Sequence, residues 1–229
     1  MPVKLVLFDL DQTLVDLFPL YERAFHGAFW KIYGFGGHLS DVDFAGNTVS
    51  EILLDVCAKH GVPRRVARKK LKAALEFLQS FFLRDLSRVK RVRALRGVRR
   101  LLSFLKNKNA VLGVATGAPK KAAVAVLGKA GLASFFSVLA TGEAGGNKES
   151  CIMRAKLDAE KRLGRRFAWR EVVVVGDSPR EAHAAGALGA RGVAVATGFH
   201  SLAELEKANP AFVFGDFSDW KKAGKAILS

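Results

Sequence analysis

Val3-Lys4-Leu5-Val6-Leu7-Phe8-Asp9-Leu10-Asp11-Gln12-Thr13-Leu14 begins as a short apolar run and stops abruptly at two carboxylates. A Val- and Leu-rich run of this length reads as a strand buried on both faces of a parallel sheet. Along a strand, residues i and i+2 point to the same side, so Asp9 and Asp11 can face one site. Ligands of open α/β sheets bind at the carboxyl ends of the strands, where both acids stand. Two such charges side by side repel unless a cation or a shared proton relieves them. The plainer alternative is a pair of solvent-facing turn residues.

The chain has 229 residues, half of them hydrophobic, which is enough for a sizeable core and excludes wholesale disorder. No apolar run approaches the ~18 residues of a membrane span, and the amino-terminal run is too short for a signal peptide. The two cysteines, Cys57 and Cys151, are far apart and have no metal-ligand spacing. A cytoplasmic protein with reduced thiols is the expectation. The formal charge is +16, and residues 64–100 carry 14 Lys or Arg against Glu76 and Asp85, a local surplus of +12. Such a run attracts anions, nucleic acid among them, although a solvated helix face is the commoner meaning.

From Asp16 to about Leu95 the pattern is helical throughout. Leu17, Leu20, Tyr21, Ala24 and Ala28 recur at helix spacing, as do Leu71, Ala74, Leu75 and Leu78. Stretches 34–38 and 59–63, rich in Gly with a closing Pro63, punctuate the run. After Gly97, strands alternate with helices. Ala110–Ala115 reads as a strand ending in Thr116-Gly117-Ala118-Pro119, with Pro119 suited to a first helical position. A turn followed by a helix start offers free N–H groups to phosphate oxygens. Val138–Thr141 is a further strand, followed by a Gly-rich loop over residues 142–148 and a helix from about Ser150. Glu171–Val175 is nearly pure Val and belongs at the centre of the sheet. It ends in Gly176-Asp177-Ser178-Pro179-Arg180-Glu181, repeating the strand-then-acid arrangement of Asp9. Shorter strands are expected at 192–197 and 211–214, with a capping box at Ser201.

These strand ends, in this order, resemble the four motifs of the haloacid dehalogenase-like hydrolases, a phosphatase-rich superfamily. The likeness is to its phosphatase type with a helical cap, the phosphoglycolate phosphatase-like members. Phe8–Leu14 resembles the first motif, with Gln12 at the usual glycine. Thr116 matches the second. Lys148 matches the third, with Lys120 and Lys121 as rivals and Glu149 where proline often follows. Gly176–Glu181 matches the fourth, with Glu181 in place of an aspartate. Ala45–Leu53 resembles the loop by which such caps approach the site, although Gly46 and Thr48 equally suit a helix-start turn.

The resemblance implies an α/β fold, a doubly wound parallel sheet (Rossmann-like) formed by residues 1–15 and 96–229, with a helical cap domain at 16–95. It implies a phosphatase acting on a small phosphorylated metabolite. Asp9 would be the nucleophile and Asp11 the general acid and base. Thr116, Gly117 and Lys148 would hold the phosphate. Mg²⁺ would be bound by Asp9, Asp177, Glu181 and, through its backbone carbonyl, Asp11. A dehalogenase fits poorly, because it lacks the second Asp and needs no metal. A phosphomutase, a phosphonatase using a cap lysine, and a nucleic-acid-binding protein on this fold remain as alternatives. Phe77, Phe81 and Phe82, the aromatics of the basic run, suit helix packing better than base stacking.

Overall fold

A computed structural model of the chain describes residues 3–142 and 146–229. The apolar runs become six strands: β1 (Leu5–Phe8), β2 (Val111–Ala115), β3 (Val138–Ala140), β4 (Val172–Gly176), β5 (Arg191–Val195) and β6 (Phe212–Phe214). They form one sheet in the order β3-β2-β1-β4-β5-β6, every pair parallel. β1 and β4 lie at its centre, as their unbroken apolar character requires. Alternation along them feeds two cores. Val6, Phe8, Val173 and Val175 face one layer, while Leu5, Leu7, Val172 and Val174 face the other. Helices therefore cover both faces, and the fold is a doubly wound α/β sheet.

Between β1 and β2 the chain is helical, with α1 (Phe18–Ala28), a π-helical turn (Phe29–Tyr33), α2 (Val49–Lys59) and the long α3 (Arg64–Arg88). α1 and α2 both pack against α3, burying Leu20, Phe25, Leu53, Leu78 and Phe82. The π-helical turn ends at Gly34, whose φ of 85° suits a residue without a Cβ. The remaining helices are α4 (Val98–Asn107), α5 (Lys120–Lys129), α6 (Lys148–Leu163), α7 (Pro179–Ala187), α8 (Leu202–Lys207) and α9 (Trp220–Leu228). Among the described residues no helix is long and apolar enough to cross a membrane.

Several boundaries differ from the sequence-based expectation by a residue or two, and three of them have a local reason. α6 begins at Lys148 rather than near Ser150, because the Asn147 side chain accepts the Ser150 N–H at 3.1 Å and caps the helix earlier. Pro119 is the residue before α5, extended at ψ 146°, instead of its first helical residue. Glu171 closes a short 3₁₀ turn and accepts the Ala168 N–H at 2.9 Å, so β4 starts one residue later. Of the Gly-rich loop, Glu143, Ala144 and Gly145 lie outside the described residues.

Candidate active site

Strand register assembles the site. Phe8 pairs with Val114 on one side and Val175 on the other, so β1, β2 and β4 end at one level. The Asp9 N–H donates to Val175 O at 2.8 Å, and the Thr116 N–H donates to Ala140 O at 3.0 Å. Asp9, Asp11, Thr116, Gly117, Lys148 and Asp177 consequently line one cavity above the carboxyl edge of the sheet.

Lys148, on the first turn of α6, is buried with its Nζ 2.8 Å from Asp9 Oδ1 and 2.7 Å from Glu181 Oε1. Burial alone would discharge the ammonium, but the two carboxylates outweigh it and raise its pKa above the usual lysine value. The same burial raises Asp9, with Lys148 pulling the other way. Glu181 sits below its usual range, because Lys148 and Ser178 overcome the burial that would raise it. Its Oε2 accepts the Ser178 N–H at 3.0 Å and also the Ser178 hydroxyl. Glu181 does not line the cavity. Its Oε1 faces the Lys148 ammonium and its Oε2 faces Ser178. Lys120 and Lys121, the rivals of Lys148, are exposed.

Asp11 turns one oxygen back onto its own chain. Oδ1 accepts the Leu17 N–H at 2.7 Å and the Gln12 N–H at 3.1 Å. Burial is the main reason its carboxyl is pushed up to about 8, with Asp9 and Asp16 adding to it against those two bonds. Asp177 is raised well above the carboxylate range by burial and by Glu181, Asp9 and Asp11. The Thr13 hydroxyl donates to its Oδ1 at 2.9 Å. The Thr116 hydroxyl accepts the Ala118 N–H at 3.2 Å.

The helical insert closes over these groups. Arg180, on α7, donates to Ala45 O at 3.0 Å and to Asp43 Oδ2 at 2.8 Å. A Cβ on Gly117 would lie 2.5 Å from Asn47 O, and one on Gly46 would collide with the Ser178 hydroxyl. Phe18 and Phe44 of the insert meet Phe199 of the loop after β5, with ring centres 4.8 and 5.0 Å apart. Thr48 is the N-cap of α2 in a reciprocal pair with Glu51. The helix-start turn and the site-facing loop are thus the same segment. About 80 Å³ of free space remains inside, far below the roughly 300–1,000 Å³ of a typical ligand pocket.

Tyr21, Phe25, Phe44, Ile52 and Phe199 also line this cavity, and the sequence marked none of them as site residues. Tyr21 recurs at helix spacing, and periodicity cannot tell a core wall from a chamber wall. No residue of the basic stretch 64–100 lines the cavity. Arg91, Arg93, Arg96, Arg99 and Arg100 border a separate groove with Trp220. No three His, Cys, Asp or Glu side chains converge as a ready-made metal centre among the described residues.

A family model described as haloacid dehalogenase-like hydrolase matches residues 3–189, and the chain belongs to that family. A phosphoglycolate phosphatase of Haemophilus influenzae strain 86-028NP is 26% identical over 231 residues, covering 94% of this chain and 95% of the relative. A solved β-phosphoglucomutase from Clostridium difficile shares the fold with a TM-score of 0.79 at 16% identity, over 99% of this chain and 98% of that one. A solved hydrolase from Pseudomonas syringae does so with a TM-score of 0.78 at 23% identity, over 99% and 100%.

Proposed function

We propose that this protein is a Mg²⁺-dependent phosphatase that hydrolyses a small phosphomonoester through an aspartyl-phosphate on Asp9. The observation that carries the reading is the Asp9–Lys148 pair at 2.8 Å beside Asp11, whose carboxyl is held near 8. Lys148 opposes the burial that raises Asp9 and so favours the ionised form a nucleophile needs. Asp11 keeps its proton at neutral pH, as an acid needs.

Asp9 attacks phosphorus as the ester P–O bond breaks, and Asp11 gives its proton to the departing alcohol oxygen. Asp11 then takes a proton from water, whose oxygen attacks phosphorus and releases phosphate and the Asp9 carboxylate. The Thr116 hydroxyl, the Gly117 N–H and Lys148 hold the phosphate oxygens.

The donor set fits Mg²⁺. Asp9 and Asp177 are two hard carboxylates, the Asp11 carbonyl is a third oxygen, and one lysine leaves the buried acids with surplus negative charge. Mg²⁺ typically takes one or two carboxylates and completes its shell with water and phosphate. Bound there, it would neutralise phosphate charge during attack. Glu181 is then an outer residue that holds Lys148 in place.

In this reading residues 1–15 and 96–229 form the catalytic core, and 16–95 form a cap that shuts over it. A phosphonatase is disfavoured because no lysine of the insert reaches the cavity among the described residues. A phosphomutase is disfavoured by a chamber whose insert side offers a sugar few polar atoms.

Phosphate release from a panel of monoesters tests the reading. Activity should need Mg²⁺, vanish in excess EDTA and be absent from Asp9→Asn. Substantial turnover by folded Asp9→Asn, or full activity in EDTA, removes the mechanism.

A further inference from the structure

The chamber above the carboxylates is unequally furnished. Its floor carries Asp9, Asp11 and Asp177 with a single ammonium, Lys148, already paired to Asp9 and Glu181. Its insert side is built from Phe25, Leu39, Phe44, Val49 and Ile52, and no Lys or Arg of the insert lines it among the described residues. Two polar side chains interrupt this wall, Asn47 and Tyr21. The hydroxyl of Tyr21 is buried and has no hydrogen-bond partner among the described residues, although Tyr21 is only 7% exposed. Its ring is held by stacking on Phe82, with centres 4.5 Å apart, so the hydroxyl cannot simply swing out to water. Burial opposes its ionisation, and Asp11 and Asp9 add to that.

We infer that the leaving-group site accepts the phosphate ester of a small uncharged alcohol, largely apolar, with one neutral polar atom that pairs with the Tyr21 hydroxyl. The identity of the reacting phosphate rests on the phosphatase reading above. Two physical facts lead to the rest. A carboxylate or second phosphate on the alcohol would be stripped of water beside the three acids of the floor, with no side-chain cation free to receive it. A buried hydroxyl without a partner is costly, and a ligand atom that satisfies it is selected over one that does not. The wall thus excludes a second anion, and Tyr21 chooses among the neutral esters that remain.

Three esters of similar size separate the possibilities: phosphoglycolate with its carboxylate, 2-hydroxyethyl phosphate with one neutral hydroxyl, and propyl phosphate with none. Binding is measured calorimetrically on Asp9→Asn in Mg²⁺, which needs no turnover, and kcat/KM is measured on the unaltered protein. The two neutral esters should bind about tenfold or more tighter than phosphoglycolate, given the cost of an unpaired buried charge. Tyr21→Phe in the same background should weaken 2-hydroxyethyl phosphate about five- to tenfold and propyl phosphate by less than about twofold, the signature of one lost hydrogen bond. Phe44→Lys, at a partly exposed wall position, should narrow or reverse the preference against phosphoglycolate.

Equal or tighter binding of phosphoglycolate, binding of none of the three, or an equal loss for both neutral esters in Tyr21→Phe overturns the inference. The two readings fail separately. Ordered binding without turnover by the unaltered protein removes the phosphatase and keeps the chamber, and turnover that favours phosphoglycolate does the reverse.

Discussion

Lys148 Nζ lies 2.8 Å from Asp9 Oδ1, although 139 positions separate the two residues in the chain. β1 delivers the acid and the first turn of α6 delivers the base, and both side chains are almost wholly buried. An ion pair this deep is maintained only by mutual compensation, and Glu181 at 2.7 Å completes a three-member cluster.

Removal of the lysine should therefore be felt in stability as well as in rate. Lys148→Met leaves Asp9 and Glu181 buried without a counter-charge, which costs about 3–5 kcal/mol. Urea unfolding should show a loss of that size, and phosphate release should disappear. A loss below about 1 kcal/mol would mean that solvent reaches the cluster.

The raised carboxyl of Asp11 sets a pH dependence in the metal-free protein. A group whose folded pKa lies above its unfolded value binds more protons when folded, so its contribution is present at low pH and lost as pH rises through about 8. Asp9 and Asp177 are raised as well and act in the same direction. In EDTA, melting temperature should fall between pH 6 and pH 9. Allowing for partial solvation of Asp11, its share is about 2 kcal/mol, or roughly 4–8 °C for a chain of this size. Mg²⁺ should shrink the difference, because a bound cation replaces the protons. A melting temperature that rises over this range in EDTA contradicts the assignment.

Gln12 occupies a left-handed backbone position, φ 59°, where glycine is the unstrained choice. Gln12 lines the cavity, and its side chain is tied to a neighbour in the chain. Nε2 donates to Asp16 Oδ1 at 2.7 Å, and the Gln12 backbone carbonyl accepts from the Thr197 hydroxyl. Gln12→Gly relieves the strain and loses the Asp16 bond, two effects of about 1 kcal/mol and opposite sign. Activity should stay within about twofold and stability within about 1 kcal/mol, as judged by kcat/KM and urea midpoints. A collapse of kcat in a folded variant would give the amide a direct part in the reaction.

The basic stretch should be silent in catalysis. Arg64, Arg65, Arg68 and Lys69 are exposed on α3, and none lines the cavity. Salt screens their field over ~8 Å at physiological ionic strength. Reversing all four charges to Glu should leave the KCl dependence of kcat/KM unchanged, for esters with one phosphate and for more highly charged ones. A flatter dependence in the variant would restore electrostatic steering by this helix.

The local chemistry of the strands was open to a reader of the sequence. Runs such as Leu5–Phe8 and Val172–Val175 are apolar without interruption, which suits a strand covered on both faces, and Asp9 follows the first directly while Asp177 follows the second after Gly176. The helix start at Ser201 was equally plain, because a cap is written within four residues, whereas Thr48 fitted a helix start and a site-facing loop alike. Long-range choices were not. Lys120, Lys121 and Lys148 look alike as residues, and only the packing of α6 beside β1 buries the last of them against Asp9. Glu181 stands where a metal ligand was expected, yet the capping geometry of α7 turns it toward Ser178 and Lys148. Tyr21, Phe25 and Ile52 obey helix periodicity whether they face a core or a chamber. The sequence alone determined which elements form and which acids end the strands, because those follow from neighbours along the chain. The tertiary structure decided which charges meet and which side chains wall the chamber, because burial and pairing depend on segments brought together from far apart.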